Sequence, residues 1–168
     1  RTVMKFSISK QDLLSAVNIV KGVVSSKSSL PILSHILMEV ENSTLKLTAT
    51  DLKVSIECTV DCTVEEPGAL TVSSQRLSML LNELPDADIS IELMDSSIVE
   101  LRCGVVDTKL FSISPDEYPP IRKFDNVVPI VFKQAVLKSL FRKTSFAICA
   151  DQSRYNLTGL LLETRSNS

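Results

Sequence analysis

Glycine is scarce in this chain, and its placement excludes one large class of sites. The four glycines among 168 residues stand at positions 22, 68, 104 and 159. None belongs to a cluster of the kind that cradles phosphate in nucleotide-binding loops. The sequence therefore gives no sign of a nucleotide cofactor, and we expect no cofactor of any kind.

Long hydrophobic runs are also missing. Runs such as Ile36-Leu37-Met38 and Leu160-Leu161-Leu162 are far too short to cross a bilayer. No charged start followed by an apolar stretch marks a signal peptide. With 44% hydrophobic and 23% charged residues, the composition is that of an ordinary globular protein. We expect no membrane partner.

Metal ligands are few and scattered. The sole histidine is His35, and among the four cysteines only Cys58 and Cys62 lie close together, without a C-x-x-C motif. A zinc site needs a tighter group of ligands. We therefore expect no bound metal, and reduced thiols in a cytoplasmic protein.

Catalytic groups are equally scarce. His35 follows Ser34, but neighbours on a strand point to opposite faces, so the two do not form a dyad. The acidic pairs lie in polar turns, where carboxylates are ordinarily solvated: Asp86 with Asp88, and Asp116 with Glu117. We expect a protein that is not an enzyme.

Hydrophobic periodicity predicts helices and antiparallel strands. After a capping Ser9, apolar residues recur at helical spacing from Leu13 to Val24, and a second leucine stripe starts near Ser73 or Ser74 and ends at Pro85. Alternation of apolar and polar residues predicts antiparallel strands with one solvent-exposed face. These strands are predicted at 6–8, at the end of 30–39, and at 45–50, 54–61, 70–72, 89–93, 98–103 and 109–113. The predicted fold class is α+β.

Proline marks a domain boundary. Four of the seven prolines lie between residues 115 and 129, a stretch typical of an extended linker. We therefore predict a first domain over 4–114, a linker over 115–129 and a second domain over 130–168. Residues 1–3 look like an added remnant before a native start at Met4.

Segments on the two sides of that boundary match each other. Residues 10–14 resemble residues 133–137, an offset of 123, and residues 33–39 resemble 157–163, an offset of 124. The second copy would contain a strand at 130–132, a helix at 133–144 and a strand at 157–164. We expect it to be an incomplete domain that exposes apolar surface and is marginal alone.

The two signs of charge are distributed differently. Acidic residues crowd the predicted strands and turns between Glu39 and Glu100. Basic residues concentrate on and beside the predicted helices: Lys10, Lys21, Lys27, Arg76, Lys133, Lys138, Arg142, Lys143 and Arg154. Lys and Arg neutralise phosphate without reading sequence, so Lys138 and Arg142 are candidate DNA contacts. Charge alone leaves open that these are only solvated helix faces.

Short landmarks run in order along almost the whole chain. They are Met4-Lys5-Phe6, Leu30-Pro31-Ile32-Leu33, 47–52 (LTATDL), Glu66-Pro67-Gly68, Glu117-Tyr118-Pro119 and, in the second copy, 154–159 (RYNLTG). Together they resemble the bacterial DNA polymerase III beta subunit, the beta sliding clamp. The resemblance covers its N-terminal domain and the beginning of its second domain.

The resemblance implies a DNA-clamp fold, with two helices packed on antiparallel sheets in each domain and a truncated second domain. It implies a head-to-tail homodimer whose six domains form a ring around double-stranded DNA, without sequence preference. Such a ring is a processivity factor that tethers the replicative polymerase. DNA polymerase and clamp loader subunits would bind it through short peptide motifs. A fragment of this length would not form the ring alone.

The resemblance also assigns residues by position. Lys27, Arg154, Tyr155 and Asn156 match loops expected to touch DNA, although the family often has an aromatic residue where Asn156 stands. Leu157 matches one wall of the pocket for partner peptides. The contact with the other subunit's third domain is expected at Arg76, Leu80, Leu84 and Leu110. For Leu80 and Leu84, plain core packing is an equal alternative.

Two other classes of function stay open at this point. One is an interaction module that uses an apolar strand edge and has no role with nucleic acid, and the other is a small enzyme. Sequence beyond Ser168 would distinguish the interaction module from a clamp. A clamp is expected to complete the second copy of the repeat and to add a third copy.

Overall fold

The computed structural model describes residues 2–24, 29–94, 97–121, 128–149 and 151–164. The chain divides into two units, Arg1–Arg122 and Lys123–Ser168, and each is described by itself. Among the described residues, no helix is long and apolar enough to cross a membrane. The same residues contain no group of three or more His, Cys, Asp or Glu side chains arranged to hold a metal ion.

The described residues of the first unit form two α-helices and nine β-strands. In chain order they are β1 (Thr2–Ser9), α1 (Lys10–Val20), β2 (His35–Glu41), β3 (Thr44–Thr50), β4 (Ser55–Asp61), β5 (Thr63–Glu66), β6 (Gly68–Ser73), α2 (Ser74–Glu83), β7 (Asp88–Met94), β8 (Ile98–Cys103) and β9 (Val106–Phe111). Short 3₁₀ turns cover Lys21–Val23, Pro31–Ser34 and Pro115–Glu117.

Serine caps fix where both helices begin. The Ser9 hydroxyl accepts a hydrogen bond from the Asp12 backbone N–H at 3.1 Å and donates one to the Asp12 carboxylate at 2.7 Å. The Ser73 hydroxyl accepts from the Arg76 N–H at 3.4 Å. Such caps satisfy backbone donors that have no partner within the helix. The predicted starts of both helices are confirmed.

The strands form two antiparallel sheets, with orders β5-β1-β7-β8-β9 and β4-β3-β2-β6. The predicted alternation is clear in β2, where burial alternates along the strand from His35 to Val40. Strand β5 was missed by the sequence analysis, which predicts no strand between 54–61 and 70–72. Thr2, before the expected native start, pairs with Met94 in the ladder between β1 and β7.

One apolar core holds the two sheets and two helices together. Helix α1 packs beside α2 and against β3 and β4. The largest fully buried side chains come from both sheets and both helices: Met4, Phe6, Leu13, Ile36, Met38, Leu45, Leu47, Leu70, Leu77, Leu81, Ile89 and Ile91. Burial of these side chains is the main stabilising contribution to the unit. The predicted α+β class, with helices on antiparallel sheets, is confirmed.

The chain after β9 packs on the first unit. Tyr118 is 8% exposed and clusters with Ile32 and Leu33. Its hydroxyl donates to the Thr48 carbonyl at 3.1 Å. The first unit thus extends into the stretch predicted as a linker over 115–129, while the exact domain boundaries stay a prediction.

In its described part, the second unit has one α-helix, α3 (Gln134–Thr144), where the sequence predicts one. The predicted strands at 130–132 and 157–164 are wrong for the described residues. The first has no regular structure, and Gln152–Leu157 forms a 3₁₀ turn followed by irregular chain. A strand needs a neighbour for its backbone hydrogen bonds, and the described part of this unit offers none.

The second unit also buries little apolar surface. No residue of α3 is buried. Its exposed large apolar residues are Val128, Ile130, Val131, Phe132, Val136, Leu140, Phe141, Phe146, Ile148, Leu157, Leu160, Leu161 and Leu162. An apolar face is thus exposed in the described part of this unit, and the assignment of 130–168 as an incomplete domain stays a prediction.

Candidate functional site

Basic residues on the sheets are neutralised by carboxylates. Lys5 pairs with Glu65 at 2.7 Å and Lys46 with Glu39 at 2.5 Å. On β8 and β9, Glu100 accepts from Arg102 at 2.6 Å and from Lys109 at 2.9 Å. Because each of these cations on the strands has a nearby carboxylate partner, its attraction for an anionic ligand is reduced.

These pairs also change how the groups titrate. The hydrogen bond from Lys109 is the largest of the interactions that hold the pKa of Glu100 below its usual range. The hydrogen bond to Glu39 raises the pKa of Lys46. The lowered pKa favours the carboxylate of Glu100, and the raised pKa favours the ammonium of Lys46.

Basic residues on the helices of the first unit are not neutralised in this way. Lys10 donates to the backbone carbonyl of Leu84, at the end of α2, and not to a carboxylate. Within the described residues, no carboxylate pairs with Lys21 or Arg76, which are both exposed. The contrast with the strand cations supports the sequence-based separation of charge.

Lys21 lines a groove between the end of α1 and the exposed side of α2. The groove has a volume of about 800 Å³, and its other walls include Ser34, Gln75, Ser78 and Asn82. None of the described residues that line it is a carboxylate. A groove with one cation and several neutral donors is chemically suited to an anionic backbone.

Helix α3 carries the cations of the second unit. Lys138 and Arg142 are exposed and four residues apart, which puts them on one face of the helix. Lys143 adds a third cation in the last turn, and α3 contains no acidic residue. The apolar residues Val136 and Leu140 form another face, so the helix is amphipathic.

The loop residues predicted to touch DNA are only partly described. Lys27 lies outside the described residues, as do the side chains of Arg154 and Tyr155. Asn156 is exposed within the 3₁₀ turn Gln152–Leu157. Leu157, predicted as one wall of a peptide pocket, is 55% exposed, and its carbonyl accepts from the Cys149 N–H at 3.0 Å.

The structure brings Arg76 and Leu110 together. Both line a pocket of about 280 Å³ between the start of α2 and the end of β9, with Phe111 and His35 among the other walls. Arg76 is therefore placed beside β9 and does not line the groove that holds Lys21. Two of the four residues predicted at the subunit contact thus share one surface.

The other two residues predicted at that contact, Leu80 and Leu84, belong to α2 and its C-terminal cap. Leu80 is half-buried and packs against the core, and Leu84 is 4% exposed within it. Neither lines the pocket with Arg76 and Leu110. The core-packing alternative describes Leu84 well.

Sequence reasoning missed Phe111. It lies at the end of edge strand β9, and 73% of its surface is exposed to solvent. The sequence contained a signal for this exposure, because Phe111 stands at a solvent-facing position in the two-residue alternation of β9. An exposed aromatic residue beside an unpaired edge is typical of a protein contact.

His35 links β2 to the chain after β9. Its Nδ1 lies 3.1 Å from the Thr71 hydroxyl. That hydroxyl donates to the Ile113 carbonyl at 2.8 Å and accepts from the Ile113 N–H at 3.0 Å. Because the Thr71 proton is already used, Nδ1 is the donor to Thr71. Burial lowers the pKa of His35, which favours this neutral form.

Comparisons with known proteins agree over most of the chain. A sequence model of the family described as "DNA polymerase III beta subunit, N-terminal domain" matches residues 4–122. A beta sliding clamp of Chlamydia trachomatis is 35% identical over 162 residues, which are 96% of this chain and 39% of that protein. One of Vibrio cholerae is 32% identical over 161 residues, or 95% of this chain and 44% of that protein.

Solved structures show the same similarity. The Caulobacter crescentus pol III beta structure matches with a TM-score of 0.89 and 30% identity, over 98% of this chain and 45% of that one. The Bacillus subtilis DNA polymerase sliding clamp matches with a TM-score of 0.86 and 29% identity, over 90% and 42%. This chain thus spans less than half the length of these relatives. It belongs to the DNA polymerase III beta subunit family and contains that family's N-terminal domain.

Proposed function

We propose that this chain supplies the first domain and part of the second domain of a ring-shaped DNA sliding clamp. The clamp would encircle double-stranded DNA and tether a replicative polymerase, as a processivity factor without catalytic activity of its own. The observation that carries this proposal is a difference among the described residues: the cations on the sheets pair with carboxylates, and those on the helices do not.

This charge arrangement suits a ring that slides. Cations without a carboxylate partner among the described residues, such as Lys21, Lys138 and Arg142, can attract DNA phosphates. This electrostatic attraction does not depend on the base sequence. The net charge of -2 keeps the whole chain from binding polyanions strongly. A weak attraction combined with topological closure holds DNA without arresting movement. Lys27, Arg154, Tyr155 and Asn156 are proposed as further contacts from loops.

Ring closure is proposed at the surface that holds Arg76 and Leu110. An edge strand can continue its sheet with a strand of a neighbouring domain. Half-buried Leu80 would support this surface from α2, and Leu84 would support it from the core. The partner would be the third domain of another subunit in a head-to-tail homodimer.

Partner peptides are proposed to bind near Leu157, whose side chain is 55% exposed. An exposed leucine can form one wall of a hydrophobic pocket for short motifs of polymerase and clamp loader subunits. The protein would act in the cytoplasm, where a bacterial chromosome is replicated.

Charge reversal on α3 tests the proposal. The complete reading frame that contains this sequence would be prepared with Lys138→Glu and Arg142→Glu together. We expect the polymerase products on primed circular DNA to shorten, and clamp loading to fall about tenfold or more, because two phosphate contacts become repulsive. Lys53→Glu is the matched control, since Lys53 is an exposed lysine in the turn between β3 and β4.

The control variant should keep the product length of the unmodified protein. Equal product lengths for the α3 variant and the unmodified protein, with normal melting temperatures for both, would contradict a DNA-facing role for α3.

A further inference from the structure

Lys10 stands at an unfavourable place in its own helix. It is the first residue of α1, directly after the Ser9 cap. The N-terminus of a helix carries partial positive charge, which favours an acidic residue such as Asp12 and repels a cation. Local helix energetics therefore disfavours a lysine at this position.

The partner of the Lys10 ammonium is the end of helix α2. Its Nζ donates to the carbonyl of Leu84, the C-terminal cap residue of α2. The last carbonyls of a helix have no partner within it and carry partial negative charge. The last turn of α2, which the structure describes completely, has no basic residue and ends with the acidic Glu83. Lys10 therefore supplies from α1 the cation that α2 lacks at this end.

Further hydrogen bonds fix the turn that follows α2. The Lys10 backbone N–H donates to the Ala87 carbonyl at 3.3 Å. The Gln11 side-chain amide donates to the Asp86 carboxylate at 2.9 Å. From the other side, the thiol of Cys103, on β8, donates to the Ala87 carbonyl at 3.8 Å. The turn is thus held between the start of α1 and the end of β8.

These contacts fix how α1 and α2 lie beside each other. The start of α1 meets the end of α2, and the two helices pack against each other. Their opposite ends are neighbours as well, because Lys21 and Val24, after α1, line one groove together with Ser74, at the start of α2. The helices are therefore antiparallel. They are bonded to each other at the Lys10 end and separated by the groove at the Lys21 end.

Lys10 differs in its surroundings from the exposed cations of the helices. Its side chain is half-buried and its ammonium is bonded to a carbonyl, whereas Lys21 is exposed and lines the groove. If the Lys10 ammonium moved to a phosphate, the carbonyl of Leu84, a residue only 4% exposed, would lose this hydrogen bond. A buried carbonyl without its partner is destabilising. A phosphate contact of Lys10 would therefore compete with the fold.

We propose that Lys10 is a positioning residue, which fixes the end of α2 to the start of α1 and does not contact DNA. By holding the two helices together at this end, it keeps α2 in place beside the groove at the other end, where Lys21 lies. The contact between the helices does not depend on the proposed function. Only its effect on DNA binding rests on that function.

Hydrogen exchange of the 168-residue chain tests the contact between the helices. Lys10→Met removes the ammonium and keeps an unbranched side chain, Lys10→Arg keeps a cation, and Lys21→Met is the matched control at the open end. The amides of the last turn of α2, with the Leu84 N–H that donates to Leu80, should exchange about tenfold faster in Lys10→Met. Lys10→Arg and Lys21→Met should exchange like the unmodified chain. An unchanged rate in Lys10→Met would overturn the proposal.

The same substitutions in the complete reading frame separate positioning from a phosphate contact. Binding to a short linear duplex would be measured over a range of salt concentrations. The logarithm of the binding constant falls with the logarithm of salt concentration, with a slope of roughly 0.9 for each phosphate contact. Lys21→Met should lower this slope by about that amount. Lys10→Met should keep the slope and weaken binding about threefold at every salt concentration, and Lys10→Arg should restore the binding.

A lower slope in Lys10→Met would identify Lys10 as a phosphate contact and overturn the proposal. Unchanged affinity in Lys10→Met, or a Lys10→Arg variant that behaves like Lys10→Met, would overturn the positioning role. An unchanged slope in Lys21→Met, with the expected results at Lys10, would contradict the phosphate contact of Lys21 in the proposed function and support the contact between the helices.

Discussion

A single histidine makes the first unit sensitive to mild acid. His35 donates from Nδ1 to Thr71, and burial lowers its pKa from the ordinary value of 6.5. The unfolded chain therefore binds a proton more readily than the folded one as the pH falls below 6.5 toward the folded pKa. The free energy of unfolding should decrease over that window and stay constant above it.

Urea unfolding at about pH 7.5 and about pH 5.5 measures this effect, which should be below the ~1.4 kcal/mol of one full pKa unit. The variant His35→Gln should lose less stability between the two pH values than the unmodified chain. Equal losses for both proteins would show that His35 is not the titrating group. Sequence analysis excluded a dyad of His35 with Ser34 and found no other role for the histidine, because its partner Thr71 lies on a different strand.

The segment after β9 is attached to the first unit by Tyr118. Burial raises the pKa of this phenol to about 12, and its hydroxyl donates to the Thr48 carbonyl. Tyr118→Phe removes only the hydroxyl, with its hydrogen bond to Thr48 and its longer one of 3.4 Å to the His35 carbonyl, and should reduce the free energy of unfolding by about 1 kcal/mol. Tyr118→Ala also removes the ring and should cost roughly 3 kcal/mol or more. Chemical denaturation measures both, and a phenylalanine variant as stable as the unmodified chain would show that the hydroxyl contributes nothing.

Elements with their own periodicity and caps were predictable from the sequence, and elements that depend on distant partners were not. Helices α1, α2 and α3 carry apolar stripes, and Ser9 and Ser73 mark two of their starts. Strand β5 is four residues long and exists through its pairing with β1, which local sequence does not reveal. The strand expected at 157–164 has the right apolar pattern but no neighbouring strand among the described residues.

At the scale of the whole molecule, the location of the basic residues on helices was predictable from the sequence. The surfaces that contact other molecules were predictable only in part. The helical location of cations could be read from Lys138 and Arg142. That no carboxylate of the described chain pairs with them, and that Lys5 and Lys46 are neutralised, could be seen only in the fold. Arg76 and Leu110 were assigned to one surface by resemblance, and the structure places both at one pocket. Phe111 joins them there because β9 ends at the sheet edge.

The central claim is that a closed ring holds DNA by topology, with helix cations providing only weak attraction. The most direct measurement compares retention of the complete protein, once loaded by its own clamp loader, on nicked circular DNA and on the same DNA linearised. We predict long retention on the circle, even in high salt, and rapid loss from the open ends of the linear form. Equal retention on both templates would contradict the claim.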